Sequence, residues 1–170
     1  NMTGMYTIAY SLESPFPEGI SHPEFLQDIS NFAKWLRTLP EIEHVYTLGD
    51  TFKRLNKNMN GDQAEFYKLP DNNKLAAQYL LLYEMSLPYG LDLNDQIDIQ
   101  KRATRLVITT QNFSSRKTLK LEKKINAWLL ENTQIRTHYA ASPNLMFSHI
   151  GKRNVSSMIG GTLIALFFIS

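Results

Sequence analysis

The chain has 170 residues, 43% of them hydrophobic and 20% charged, with a mean hydropathy of -0.29. These values exclude a wholly disordered or wholly membrane-embedded chain and fit one ordinary domain, or two small ones sharing a core. Net charge is only +2, from 18 Lys and Arg against 16 Asp and Glu, so charge gives no sign of a nucleic-acid partner. Cysteine is absent, which excludes disulfides, thiolate metal sites and cysteine nucleophiles.

Tyr6, Ile8, Tyr10 and Leu12 alternate with Thr7, Ala9 and Ser11, the period of a half-buried strand. After a loop at Ser14–Gly19, Ser21 is the expected cap of a helix with Pro23 in its first turn. The stripe of that helix is Phe25, Leu26, Ile29, Phe32, Ala33 and Leu36, and Pro40 ends it. A second strand is expected from Ile42 to Leu48, punctuated by Gly49-Asp50.

Residues 49–102 read as a helical insertion. It holds a short basic helix from Thr51 to Met59, a turn at Asn60-Gly61-Asp62 and a stronger helix opened by Pro70-Asp71. Leu75, Ala76, Tyr79, Leu80, Leu82 and Tyr83 cover most of that helix's circumference, which predicts burial between two surfaces. Leu87-Pro88-Tyr89-Gly90 stops it, and a polar connection runs from Asp92 to Gln100.

Thr104 to Thr110 is rich in β-branched residues and predicts a third strand. Ser114 or Ser115 caps the next helix, striped by Leu119, Leu121, Ile125, Trp128 and Leu129. Lys117, Lys120, Lys123 and Lys124 lie mainly on its other side, as a solvated face. Ile135 to Ala140 is a fourth strand candidate, and Ser142-Pro143 breaks the chain after it.

The order is strand, helix, strand, insertion, strand, helix, strand. Two βαβ halves with antiparallel pairing between them predict a ferredoxin-like α/β sandwich, an α+β arrangement with helices on one face of the sheet. Residue identity shows no strong internal repeat, but the pattern of the halves repeats as strand then helix, with Trp35 in one and Trp128 in the other.

Met158 to Ile169 carries no charge and no break. A membrane span needs about 20 apolar residues, more than this run supplies. Two readings follow: a terminal helix buried in the core, or the first part of a transmembrane helix over residues 157–170. The second is preferred, because an all-round apolar helix in a soluble domain needs cover on every face. It makes residues 1–156 a water-facing domain of a larger membrane protein. Lys152 and Arg153 ahead of the run weigh toward a cytoplasmic placement, but large domains translocate largely regardless of so small a bias.

Catalysis finds no foothold. His22, His44, His138 and His149 have no metal-ligand spacing, and no phosphate loop or Gly-x-Ser-x-Gly is present. Glu41/Glu43 and Asp92/Asp95/Asp98 fall in polar connections and read as solvated turn residues. No enzyme activity and no cofactor are expected. Aromatic residues and methionines crowd the insertion, either as core or as an adaptable apolar cleft. The cleft candidates are Phe66, Tyr67, Tyr79, Tyr83 and Met85.

Three stretches carry a resemblance. They are Arg54-Leu55-Asn56-Lys57-Asn58-Met59-Asn60-Gly61-Asp62, the run from Leu75 to Leu93, and Leu145-Met146-Phe147-Ser148-His149-Ile150-Gly151-Lys152-Arg153-Asn154. Together they resemble the first periplasmic (porter) domain of predicted exporters of the resistance–nodulation–division (RND) superfamily, on its MMPL-like, hydrophobe-exporter branch. The similarity runs from about Met5 to Ser170.

The resemblance implies a twelve-helix, proton-driven transporter of the bacterial inner membrane, with this domain facing the periplasm. Its partners are then a hydrophobic or lipid-like small molecule, the remainder of the transporter chain and a possible homo-oligomer neighbour. The family's proton-relay carboxylates belong to membrane helices outside this sequence. Met146 and Phe147, at the junction with the terminal run, are the candidates for transmitting motion. Two other readings stand beside it: an interaction module that binds a partner subunit without contacting substrate, and a free-standing ferredoxin-like enzyme.

Overall fold

A computed structural model describes residues 5–88 and 93–169. It shows a mixed α/β architecture with a four-stranded antiparallel sheet and five helices among the described residues. In chain order these are β1 (Tyr6–Glu13), α1 (Pro23–Leu36), β2 (Ile42–Tyr46), α2 (Leu48–Met59), α3 (Asn73–Ser86), β3 (Ala103–Thr110), α4 (Ser115–Asn132), β4 (Thr137–Ala141) and α5 (Pro143–Ile169). The strand order is β2-β3-β1-β4. β1 pairs antiparallel with β3, from Tyr6 opposite Thr110 to Glu13 opposite Ala103, and antiparallel with β4 on its other side. β3 also pairs with β2, where the register shifts between Ile42 and His44.

The alternation in β1 does what its period predicts. Ile8, Tyr10 and Leu12 are buried, while Thr7 and Ser11 are exposed on the opposite face. Leu106 and Ile108 of β3 join the same core. All six stripe residues of α1 are buried there, as are Leu121, Ile125 and Leu129 of α4.

Aromatic rings bind the two helices to the sheet. Tyr10 meets Phe32 edge-on at 6.2 Å, Phe32 stacks on Trp128 at 5.5 Å, and Trp128 stacks on Trp35 at 4.8 Å with the planes 13° apart. The two tryptophans that mark the two halves in the sequence are therefore each other's neighbours.

Several boundaries move for local reasons. His22, not Ser21, is the N-cap of α1, because Ser21 closes a 3-10 turn at Gly19–Ser21 and Pro23 takes the first helical position. β2 ends at Tyr46, and Gly49-Asp50 lies inside α2 rather than before it: Thr47 caps that helix, its hydroxyl accepting from the Asp50 N–H at 3.2 Å. Asn72 caps α3, accepting from the Leu75 N–H at 2.9 Å, so Pro70-Asp71 lies outside the helix. Of the stop signal after α3, Tyr89 and Gly90 fall outside the described residues. The polar connection after it tucks Leu93 and Ile97 into the core.

Two larger expectations are corrected. α3 is not buried between two surfaces: only Ala76, Tyr79 and Leu80 are buried, while Leu81, Leu82 and Met85 face outward. α2 and the 3-10 turn at Gly19–Ser21 pack against it, and together they leave Leu81, Leu82 and Met85 uncovered. The terminal run is not buried in the core either. It forms the second half of α5, whose residues from His149 to Ile159 are all exposed. α5 has 27 residues, yet no helix among the described residues is long and apolar enough to cross a membrane. His149, Lys152 and Arg153 in its first half confine the apolar part to Met158–Ile169.

The aromatic stack yields a direct test. A double-mutant cycle with Trp35→Leu and Trp128→Leu, read by denaturant unfolding, is expected to give a coupling of about 0.5–1.5 kcal/mol. A coupling indistinguishable from zero would show that the rings only fill space.

Candidate functional site

The expected cleft residues lie on the α2–α3 lobe, and the structure separates them. Tyr79 is a core residue whose hydroxyl donates to Asn56 Oδ1 at 2.7 Å. Asn56 is itself buried on α2; its amide nitrogen donates to the Lys68 carbonyl at 3.0 Å, and Asn60 donates to its Oδ1 at 3.1 Å. This buried asparagine ties α2, α3 and the loop between them, as a satisfied polar centre in an apolar lobe must. Sequence reasoning missed Asn56, although it stands four residues after the buried Phe52, on the same helix face.

Tyr83 packs half-buried one turn beyond Tyr79, and Phe66 ends a 3-10 turn at Ala64–Phe66. Tyr67 is 48% exposed and Met85 76% exposed. None of the five lines the larger cavities among the described residues.

Two of the larger cavities lie instead along α5 where it leaves the sheet. Pro143 starts α5 directly after β4, and its first turns set Leu145 and Ser148 inward, both buried. His149 Nε2 lies 2.8 Å from Glu122 Oε2, which joins α5 to α4. Close enough to feel the Glu122 charge is the buried Tyr10 hydroxyl, which has no hydrogen-bond partner among the described residues. Burial, and secondarily the Glu122 carboxylate, push its ionisation far above the ordinary phenol range, so it stays neutral.

Met146 lines a cavity of about 610 Å³ beside Glu122, His149 and Arg105. Phe147 is 65% exposed and is not part of that lining. Of the two expected junction residues, the structure therefore brings only Met146 to the α4–α5 seam.

A second cavity, of about 730 Å³, is a groove between α4 and the middle of α5. Arg116, Lys120 and Lys123 line one wall and Lys152 the other, over Leu119, Val155 and Ile159. Beyond it, Leu163, Ile164, Leu166, Phe167 and Phe168 are each more than half exposed. Two of the four lysines that the sequence alone presents as a solvated face, Lys120 and Lys123, are thus part of one wall of a defined concavity.

Among the described residues no group of His, Asp and Glu is arranged to hold a metal ion. No family model matches the chain, and no curated protein or solved structure is significantly similar to it.

Two substitutions separate packing from polar roles. Tyr10→Phe deletes a buried hydroxyl that has no partner, so stability should hold or rise by up to about 1 kcal/mol. A clear loss in its melting temperature would reveal a partner for that hydroxyl. Tyr79→Ala should cost about 3–5 kcal/mol, and Tyr83→Ala, at a half-buried position, much less. Equal losses in urea unfolding would contradict the placement of the two rings.

Proposed function

We propose that the chain is a water-facing domain of a proton-driven RND-type exporter, of the MMPL-like branch, that collects or passes on hydrophobic or lipid-like molecules. On this reading it is not an enzyme and works in the periplasm against the bacterial inner membrane. The strand order β2-β3-β1-β4 with antiparallel neighbours supports the finer description of the fold as ferredoxin-like, with residues 49–102 as its helical insertion.

The observation that carries the reading is α5. It is anchored by Leu145, Ser148 and the His149–Glu122 contact, then carries uncovered leucine, isoleucine and phenylalanine side chains away from the domain. Such a helix suits the start of a membrane segment and serves as a lever. A tilt of α5 acts first on α4 through Glu122, then on α1 through the Trp128–Trp35 stack. Motion in a membrane part would reach the α/β body by that route, with Met146 at the seam.

A second reading is an interaction module that binds a partner subunit and no cargo. The outward Leu81, Leu82 and Met85 of α3 favour it, since they form an uncovered apolar face away from every larger cavity.

Extraction of the purified chain followed by mass spectrometry separates the two. The transport reading expects a reproducible hydrophobic molecule. An empty chain that self-associates through α3, and becomes monomeric after Leu82→Gln, would replace that reading with the module.

A further inference from the structure

From the groove between α4 and α5 we infer a seat for an anionic lipid surface, in which phosphate headgroups lie between the two helices while the end of α5 enters the acyl region. The inference concerns where the domain rests, not what it carries, and so goes beyond the transport reading.

Charge is the first argument. Arg116, Lys120 and Lys123 recur at positions i, i+4 and i+7, so they share one face of α4, and Lys152 stands across from them on α5. No carboxylate is within ion-pair distance of any of the four among the described residues. Glu122, next to Lys123 in the chain, is engaged by His149. Like charges facing one another across a groove repel, and an anion between them turns that repulsion into attraction. Ser115, Ser148 and Ser156 add hydroxyls to the lining, of which Ser148 Oγ already donates to the Asn144 carbonyl at 2.8 Å.

Shape is the second argument. The floor of the groove is apolar, through Leu119, Val155 and Ile159, and it opens onto the uncovered apolar end of α5. With a rise of 1.5 Å per residue, Lys152 lies about 9 Å along the axis before Met158. A helical side chain leans toward the N-terminus of its helix, so the Lys152 ammonium lies on the side of the groove away from the apolar end. Cations followed by an apolar helix end is the order in which a bilayer presents phosphate and then hydrocarbon. A free anion has no use for the apolar half, and a neutral apolar partner has none for the four cations.

Flotation of the intact chain with phosphatidylcholine vesicles, with and without phosphatidylglycerol, tests the seat. Binding is expected with phosphatidylglycerol and should weaken as salt is raised. The triple variant Lys120→Gln/Lys123→Gln/Lys152→Gln should lose on the order of 100-fold in partitioning, about fivefold per lysine. Lys117→Gln/Lys124→Gln, on α4 but outside the groove, serves as the control and should lose far less.

Equal binding to both vesicle types overturns the inference, as does equal loss from the triple variant and the control. So does a dimer that persists unchanged with vesicles present, since a second copy then covers the groove. Lipid extraction reads retained cargo while flotation reads surface attachment, so the seat and the transport reading fail separately.

Discussion

The central strand constrains everything around it. β1 is hydrogen-bonded on both edges, to β3 and to β4, so its register cannot slip without turning Ile8, Tyr10 and Leu12 out of the core. From that fixed strand an aromatic column rises through Phe32 to Trp128 and Trp35, locking α1 and α4 to the sheet and to each other. Tyr10 also lies close enough to Glu122 to feel its charge, and Glu122 holds His149 on α5. Strand, helix and projecting helix thus form one mechanical series. A displacement of α5 has a stiff body to act upon, because packed interiors transmit strain rather than absorb it.

The elements with a strict hydrophobic period were legible in the sequence. β1 alternates at two, α1 repeats at three and four, and in each the period identifies the buried residues. Periodicity reports which side of an element is apolar; it does not report whether a neighbour exists to cover that side. α3 is apolar on most faces, and the inference to burial on two sides failed because its neighbours, α2 and the Gly19–Ser21 turn, leave Leu81, Leu82 and Met85 in the open. Asn56 shows the complementary blind spot. An asparagine in a helix reads as surface, and only the fold brings Tyr79 to its side-chain oxygen. Lys120 and Lys123 of α4 were legible as part of a charged face but not as the wall of a groove. Their opposing wall comes from α5, which the turn after β4 returns alongside them.

The exposed end of α5 sets an energetic demand that helps decide among its covers. Leaving a large aliphatic or aromatic side chain in water forgoes about 1.5–3 kcal/mol relative to burial. Leu163, Ile164, Leu166, Phe167 and Phe168 together forgo on the order of 10 kcal/mol, comparable with the whole stability of an ordinary domain. That is a strong drive toward an apolar environment, and it alone does not discriminate protein from lipid.

The cations upstream discriminate. A two-fold pairing of α5 with its counterpart on a second copy would bring a second set of Arg116, Lys120, Lys123 and Lys152 toward the first, since both copies use the same surface. The apolar gain would then be offset by charge repulsion in a partly desolvated groove. An anionic bilayer covers the same side chains and neutralises the same charges in one contact. The arrangement of α4 against α5 therefore favours lipid over self, for the reason that makes the empty groove electrostatically unfavourable.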